Sequence, residues 1–345
     1  MLYWENRAAM LPAFYSATPA IRRIPEAARE GAANMKKISI LVPCFNEQEN
    51  VVAMGKALTT MAQEKLASYD YEIVFIDNDS TDSTRALIRE MCRQDKKIKA
   101  IFNARNFGQF NSPYYGLLQM TGDCTVMLCC DFQDPVDLIP EFVQKWEAGA
   151  KIVAGIKTQS DENSFVRFLR TCYYRLIHKM SSVEQIEHFT GFGLYDKSFV
   201  NVLRDLKDPT PFLRGIVAEL GFRRVNVPYR QARRKAGKTH NNWYSLFDAA
   251  MLSFTSYTKV GLRFATIGGA IMAFISFGVA IYYTVYKLTH WQRFNAGMVP
   301  LIIGVFLFSG IQTFFIGFLG EYIMAINNRI MNRPLAIEEE RINFD

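Results

Sequence analysis

Two short apolar runs, "KISILVPCF" at residues 37–45 and "YEIVFIDND" at residues 71–79, decide the fold of this chain. Each run has the composition of a strand that is buried on both faces of a sheet, and each ends at polar residues. The stretch between them, "NEQENVVAMGKALTTMAQEKL", predicts a helix that opens at an Asn cap with acidic residues in its first turn. The two runs therefore predict a strand, helix and strand unit with parallel strands.

The same alternation continues along the chain. "STDSTRALIREMCRQD" (80–95) predicts a second helix, and "KIKAIFN" (97–103) and "CTVMLCCD" (124–131) predict two more strands. Strands separated by helices indicate an α/β domain with a doubly wound, mostly parallel sheet, in which ligands bind at the carboxyl ends of the strands. We assign residues 36–240 to this domain and residues 1–35 to a mobile N-terminal extension.

Composition limits the class of protein. The chain has 345 residues, of which 50% are hydrophobic and 14% aromatic, enough to build a sizeable core. Its formal net charge of +7 suits anionic lipid or phosphorylated ligands. No nucleic-acid-binding motif appears, so nucleic acid is not an expected partner. The six cysteines form no CxxC pair and no secretory signal is evident, which favours a reducing, cytoplasmic setting for the main domain.

The C-terminal third predicts two membrane spans. No charge interrupts the chain between Arg263 and Lys287, or between Arg293 and Glu321. A helix over the first stretch rises roughly 34 Å at about 1.5 Å per residue, enough to cross a bilayer, and long uncharged core helices are rare. Basic residues flank both outer ends. We therefore predict an integral membrane protein with two spans and a short loop over residues 263–326, a cytoplasmic tail over residues 327–345, and both termini cytoplasmic.

Two other segments have helical apolar spacing beside polar faces. "NNWYSLFDAAMLSFTSYTK" (241–259) predicts an amphipathic helix at the membrane surface, and we assign residues 241–262 to such interface helices. "SFVRFLRTCYYRLIHKM" (164–180) has a similar pattern, with arginines and a lysine around an apolar face. That second segment fits the membrane surface and packing against the domain core equally well.

Polar side chains follow the predicted strands where each strand ends, and we expect them to meet in one cleft. They are Asn46, Glu47, Asp77, Asp79, Asp131 and Gln133. No GxGxxG follows the first strand and no GxxxxGK[ST] occurs, which argues against dinucleotide and P-loop sites. A cleft rich in carboxylates favours a hard divalent cation instead, Mg²⁺ or Mn²⁺, held by oxygen ligands and shared with a phosphate.

Four motifs and the predicted spans carry a resemblance to a known family. "ILVPCFNEQEN", "EIVFIDNDSTDST", "ARNFGQ" and "CCDFQDPVDLIP" occur in the order and spacing of family 2 glycosyltransferases with the GT-A fold. With two C-terminal spans, the chain resembles the polyprenyl-phosphate glycosyltransferases, which include dolichyl-phosphate mannose synthase and bacterial undecaprenyl-phosphate glucosyltransferases. The resemblance covers roughly residues 36–335.

The resemblance implies roles for particular residues. The metal would be held by Asp131 and Gln133, and catalysis would rest on Asp131, Gln133 and Arg234. The nucleotide sugar would be bound by Pro43, Phe45, Glu47, Asp77, Asp79, Cys130 and Asp131. The acceptor phosphate would be bound by Arg214, Arg234, Lys238 and His240, the last three in "RKAGKTH" at residues 234–240. Packing roles for Phe45 and Cys130, and simple attraction of the basic loop to anionic lipid, stay open.

This chain departs from the family pattern at several positions. The usual Asp-Ala-Asp-Leu-Gln-Asp-Pro is "CCDFQDP" here, so Cys129 stands at the position of a metal-binding Asp. Because thiols are poor ligands for Mg²⁺, we expect a weaker metal site. Asn78 and Asp79 replace Asp and Gly, His240 replaces Lys, and Gly191 stands where relatives often carry Asp. A redox or soft-metal role for the vicinal cysteines is the alternative.

The implied activity is inverting transfer of a hexosyl unit from a nucleotide sugar, with UDP as the first expected nucleotide, to polyprenyl phosphate at the cytoplasmic membrane face. An acceptor phosphate is already anionic, so the task is mainly electrostatic and needs no strong general base. The expected partners are thus a nucleotide sugar, the polyprenyl phosphate carrier and the membrane, with self-association through the spans as a further expectation.

Two alternatives remain at this point. A processive polysaccharide synthase is disfavoured, because such enzymes carry a Gln-x-x-Arg-Trp motif and "QARRK" (231–235) lacks the Trp. A catalytically silent relative that binds a nucleotide sugar or acts as a scaffold is favoured by Cys129, Asn78 and Gly191. Retention of Asp131, Gln133 and Arg234 argues against it.

Overall fold

The computed structural model describes residues 35–159, 186–232, 251, 260–289 and 298–344. In these residues the strands are β1 (Lys37–Cys44), β2 (Asp70–Asp77), β3 (Ile98–Asn103), β4 (Cys124–Met127), β5 (Ile152–Gln159), β6 (Phe189–Asp196), β7 (Arg224–Arg230) and β8 (Glu338–Ile342). The helices are α1 (Val51–Lys65), α2 (Thr84–Gln94), α3 (Gly108–Gln119), α4 (Ile139–Glu147), α5 (Lys197–Leu206), α6 (Leu213–Glu219), α7 (Val260–Thr289) and α8 (Met298–Ile330), with a 3₁₀ turn at Val136–Leu138.

All of these strands belong to one sheet, in the order β7-β5-β6-β4-β1-β2-β3-β8. The central strands β4, β1, β2 and β3 are parallel, as predicted. The prediction of a mostly parallel sheet is only partly confirmed, because β6 runs antiparallel to both β4 and β5, and β8 runs antiparallel to β3. The fold is a mixed α/β sheet with a parallel centre.

Apolar residues of the central strands point alternately to the two faces of the sheet. Ile40 and Phe75 pack in one core cluster with residues of α1, α2 and α4, and their neighbours Leu41 and Val74 pack in the other with residues of α3, α5 and α6. Helices thus cover both faces, which confirms the doubly wound arrangement and explains why β1 and β2 are almost entirely apolar.

Two predicted boundaries are wrong. Helix α1 begins at Val51, without acidic residues in its first turn, rather than at Asn46. Asn46 has a positive φ of 54°, and its side-chain oxygen accepts from the Thr81 N–H of the neighbouring loop rather than from a helix N–H, so it does not cap a helix. The fourth strand ends at Met127 rather than Asp131, because the chain turns there and the Cys129 N–H bonds to the Asp134 side chain.

The C-terminal segment contains two long helices, α7 with 30 residues and α8 with 33. Among the described residues, one helical stretch is long and apolar enough to cross a membrane, Leu307–Ile330, and of its residues only Tyr322 is buried. This stretch starts later than the predicted second span and includes Glu321 and Arg329. The prediction of two spans is therefore supported for one helix only. The predicted interface helix at 241–262 and the segment 164–180 lie essentially outside the described residues.

A buried network of charged side chains links strands β1, β2 and β3 near their amino-terminal ends. The Glu72 side chain is 3% exposed and lies 2.7 Å from Lys37 Nζ and 2.9 Å from Lys99 Nζ, and it accepts a hydrogen bond of 2.6 Å from Ser39. Burial alone would raise the pKa of Glu72, but the hydrogen bonds from Lys37, Ser39 and Lys99 outweigh it and lower the pKa to about 2. The charged form of Glu72 therefore stabilises the strands β1, β2 and β3 against one another.

We predict that Glu72→Gln lowers the free energy of unfolding by roughly 3 kcal/mol at neutral pH, because it removes a carboxylate whose pKa is lowered to about 2 and leaves the two lysines unpaired. A depressed carboxyl pKa stabilises the fold above about pH 4.5, and this contribution is lost as the pH falls toward 2. Thermal unfolding of wild type and variant between pH 3 and 7 measures it. The surface pair of Lys97 and Asp70 offers a control, since Asp70→Asn should cost under about 1 kcal/mol. Equal losses for both variants would contradict the assignment.

Candidate active site

The ends of β1 and β2 form the first wall of the site. Cys44 and Asp77 lie side by side in register, and the loops that follow them are hydrogen-bonded together. The Asn46 N–H donates to Ser80 Oγ at 2.8 Å, and the Glu47 N–H donates to Thr84 Oγ1 at 2.9 Å. In return, the Thr81 N–H donates to Asn46 Oδ1 at 2.8 Å. The two loops therefore behave as one rigid unit.

The loop after β4, residues 128–135, forms a second wall. The Gln133 N–H donates to Asp131 Oδ1 at 3.1 Å, which holds these two side chains on one tight turn. Asp134 is buried and accepts hydrogen bonds from the Cys129 N–H at 3.1 Å and from the Tyr229 hydroxyl at 2.9 Å. Burial raises the pKa of Asp134 to about 6. Sequence reasoning missed Asp134 and Tyr229 as supports of this loop.

These walls enclose a cavity of about 540 Å³ at the carboxyl edge of the sheet. Seven of the predicted site residues line it: Pro43, Phe45, Glu47, Cys130, Asp131, Gln133 and Arg214. Arg214 comes from α6. The remaining lining is largely apolar and aromatic. The rings of Phe110 and Phe212 pack edge to face there, with their centres 5.7 Å apart. The structure thus brings most of the predicted nucleotide and metal residues to one space.

Five predicted site residues are not among those lining the cavity. Asp77 is fully buried behind it, and Asp79 is partly exposed beside Arg85. Arg234, Lys238 and His240 lie outside the described residues. Their predicted contacts with nucleotide and acceptor phosphate stay predictions.

Asn78 has a role that the sequence did not show. Its side-chain oxygen accepts from the Phe107 N–H at 2.9 Å, and its amide donates to Asn106 Oδ1 at 2.8 Å. Asn103 also donates to the Asn78 oxygen at 3.2 Å. The amide therefore fastens the "ARNFGQ" loop to the end of β2. Asn78 therefore has a structural role in this chain, next to the cavity that it also lines.

The two vicinal cysteines occupy different environments. Cys130 is buried and packs in the core cluster, as expected for an apolar filler, although it also borders the cavity. Cys129 is exposed and lines the cavity, where neighbouring protein atoms partly desolvate its thiol. This desolvation, with the negative charges of Asp134 and Asp131, raises the pKa of the Cys129 thiol well above its usual range. Cys129 therefore faces the cavity as a neutral thiol.

Comparison with known proteins decides the family. The model for "Glycosyl transferase family 2" matches residues 39–205. The SfII prophage-derived bactoprenol glucosyl transferase of Shigella flexneri is 31% identical over 302 residues, which are 87% of this chain and 97% of that protein. The prophage bactoprenol glucosyl transferase homolog of Escherichia coli (strain K12) is also 31% identical, over 87% of this chain and 98% of its own length.

The chain belongs to glycosyl transferase family 2. Among solved structures, it is similar to mannosyl-3-phosphoglycerate synthase from Rubrobacter xylanophilus, at 16% identity and a TM-score of 0.45, over 68% of this chain and 75% of that one.

A divalent cation is expected of this family 2 glycosyltransferase, and the donor set of the cavity fits one in part. Asp131 and Gln133 supply carboxylate and amide oxygens, which Mg²⁺ and Mn²⁺ prefer. In the described part of the chain, no three His, Cys, Asp or Glu side chains are grouped to hold a metal ion. The residues therefore suit a cation that takes its other ligands from a diphosphate and water, rather than one held by a complete protein cage.

Gly191 also lines the cavity, in β6, at a φ of +104°. L residues rarely adopt this φ, and a Cβ at Gly191 would lie 3.2 Å from Met127 Cε. The structure therefore demands glycine here, at the position where the family resemblance led us to expect Asp.

We predict that Gly191→Asp, which restores the usual family residue, lowers the free energy of unfolding by about 1–3 kcal/mol and does not raise activity. The control is Gly221→Asn, at a φ of +65° with open space around it, because Asn tolerates the left-handed region. Differential scanning fluorimetry and initial rates for both variants test this. A Gly191→Asp protein that is as stable as wild type and more active would contradict it.

Proposed function

We propose that this protein transfers a hexosyl unit, with inversion, from a nucleotide sugar, UDP-linked in the first instance, to polyprenyl phosphate. The observation that carries the proposal is the cavity at the carboxyl edge, which collects oxygen ligands on one wall and Arg214 on another. Relatives that this chain matches over 97–98% of their length are named bactoprenol glucosyl transferases, and bactoprenol is a polyprenyl lipid. The proposal extends that acceptor class to this chain.

The chemistry asks the protein to hold two phosphorylated molecules together. The acceptor phosphate is anionic at neutral pH, so its oxygen attacks the anomeric carbon without losing a proton to a base. The buried Asp134 is already hydrogen-bonded to Cys129 and Tyr229 and acts as a support of the loop. Arg214, together with Arg234, Lys238 and His240, would counter the repulsion between the two substrates. This arrangement explains why the thiol at Cys129 and the glycine at 191 are compatible with transfer.

A metal ion at this site would be held by Asp131 and Gln133, and it would neutralise the charge that develops on the departing nucleoside diphosphate. Either Mg²⁺ or Mn²⁺ suits these ligands. The nucleotide would lie along the wall built by Pro43, Phe45 and Glu47.

The pairing of β8 with β3 supports an even number of membrane crossings. Strand β8 follows α8 directly in sequence, yet it lies in the same sheet as the catalytic cavity. If α8 alone crossed the membrane, β3 and β8 would lie on opposite sides and could not pair. The exposed apolar side chains of α7, such as Phe274, Phe277 and Tyr282, supply a second face suited to lipid. We therefore propose two spans, formed by α7 and α8, with the cavity and both termini on the cytoplasmic side.

We predict that Asp131→Asn lowers turnover at least about tenfold. It should also reduce the difference in turnover between assays with Mg²⁺ or Mn²⁺ and assays with EDTA. The assay measures nucleoside diphosphate release across a panel of nucleotide sugars, with and without polyprenyl phosphate, in Mg²⁺, Mn²⁺ or EDTA, and detects the glycolipid in parallel. Asp137→Asn is the matched control, because Asp137 is exposed on the same segment and pairs only with Lys65 at the surface among described residues.

Release that needs both carrier and metal, with matching glycolipid, supports the proposal. Nucleotide binding without turnover across the panel would favour a silent relative instead. An Asp131→Asn protein with unchanged rate and metal dependence would sink the metal assignment.

We predict further that, in sealed vesicles whose cytoplasmic face is outermost, protease digests a tag fused after residue 345 together with the catalytic domain. A tag inserted at position 292, between the two helices, should be protected until detergent is added. A protected C-terminal tag beside a digested catalytic domain would indicate a single crossing. Digestion of both tags in intact vesicles would rule out the spans.

A further inference from the structure

The C-terminal strand β8 is firmly attached to the sheet at both ends. It pairs with β3 from Ala100 opposite Ile342 to Asn103 opposite Glu338. Just before it, the Ala104 N–H donates to the Ile337 carbonyl at 2.9 Å. Just after it, the Asn343 amide donates to the carbonyls of Cys92 and Ile98 at 2.7 and 2.8 Å. Residues close to the C-terminus are therefore a permanent part of the domain that contains the cavity.

A bulge in this strand changes the direction of its side chains. The register shifts between Phe102 and Asn103: Glu340 lies opposite Phe102, Glu338 lies opposite Asn103, and Glu339 is the extra residue between them. Glu339 and Glu340 consequently both reach arginines of α2, although successive residues of a regular strand point to opposite faces. Such bulges commonly redirect a side chain next to a functional site.

Glu339 hydrogen-bonds to Arg85, and Arg85 reaches the turn after β2. Its Nε lies 3.5 Å from Asp77 Oδ2 and its Nη1 lies 3.6 Å from Asp79 Oδ1. The contact with Glu339, between Nη2 and the carboxylate, is the shortest of the three. The Arg85 side chain is 18% exposed, and its guanidinium carbon lies 5.2 Å from the centre of the Phe102 ring. Glu339 therefore fixes the position of a cation that serves two other carboxylates.

The turn that Arg85 holds is directly connected to the cavity. Asp77 is fully buried, lies beside Cys44 of β1, and accepts from the Ser80 N–H at 3.1 Å. Ser80 in turn accepts from the Asn46 N–H, next to the cavity residues Phe45 and Glu47. Asp77 Oδ1 has no hydrogen-bond partner among the described residues, so Arg85 is the cation that compensates this buried carboxylate.

We propose that Glu339 is a positioning residue for the nucleotide end of the cavity, acting through Arg85 on Asp77 and Asp79. The inference rests on the proposed function, because it assigns the wall of Pro43, Phe45 and Glu47 to the nucleotide. It gives the C-terminal strand a role in donor binding that is separate from the lipid acceptor. Glu339 itself does not line the cavity.

The neighbouring Glu340 provides a matched control. It also pairs with an arginine of α2, through contacts of 2.9 and 2.7 Å to Arg89, and Arg89 lies 4.6 Å from the centre of the same Phe102 ring. No ion pair joins Arg89 to the turn at 77–79 in the part of the chain that the structure describes. Glu339→Gln and Glu340→Gln thus remove similar links between β8 and α2, but only the first touches the route to Asp77.

The test uses the full chain in lipid nanodiscs. The dissociation constants of uridine and guanosine diphosphate are measured by calorimetry, and the KM values for nucleotide sugar and polyprenyl phosphate are measured by turnover. Glu339→Gln should weaken nucleoside diphosphate binding and raise the donor KM roughly three- to tenfold, as expected for loss of one hydrogen bond to a charged group, with kcat and the carrier KM within about twofold of wild type. Glu340→Gln should leave the dissociation constants, both KM values and kcat near wild type. Its melting temperature should change by about as much as that of Glu339→Gln.

Equal effects of the two substitutions on nucleotide binding, or an unchanged donor constant in Glu339→Gln, would overturn this inference while leaving the proposed function intact. A wild-type protein that binds neither diphosphate and turns over no nucleotide sugar would overturn both. Binding without turnover would overturn the transfer reaction alone, and the comparison of Glu339→Gln with Glu340→Gln would still decide the role of β8 from the dissociation constants.

Discussion

The register of β1 with its neighbours β2 and β4 is the constraint on which the rest of the site depends. Because these strands are parallel, their carboxyl ends face the same edge of the sheet, and the polar residues that follow each strand meet there. Hydrogen bonds between the loops then hold the two walls in place. The Asn46 N–H donates to Ser80 in one wall, and the Cys129 N–H donates to Asp134 in the other. A shift of one strand by one residue would exchange its two apolar faces and separate the walls of the cavity.

Sequence patterns predicted the parallel centre of the fold because each of its strands is an apolar run bounded by turn residues. They did not predict β8, "EEERI", which contains four charged residues in five. That strand is stable at the sheet edge because its charges pair with arginines of α2 and its backbone pairs with β3, and both partners lie more than 200 residues away in sequence. Periodicity carries no information about such long-range pairing.

The site was predictable to a similar extent. Asp131, Gln133 and Glu47 follow apolar strands, and so their convergence could be expected from the sheet alone. Tyr229, which supports Asp134, comes from β7 near the far edge of the sheet, and nothing local in its sequence marks it as a site residue. The departures from the family pattern also needed the structure. The Asn78 amide is hydrogen-bonded to a neighbouring loop. Gly191 has a positive φ, at which an Asp backbone would be strained.

The central claim is that the cavity at the carboxyl edge binds the nucleotide sugar. The most direct measurement is an electron cryomicroscopy structure of the full chain in lipid nanodiscs with a nucleotide sugar that it turns over and with Mn²⁺. We expect ligand density between Phe45 and Asp131, with the nucleotide against the β1 wall and the diphosphate next to Asp131 and Gln133. Nucleotide density at any other surface, with this cavity empty under conditions of turnover, would contradict it.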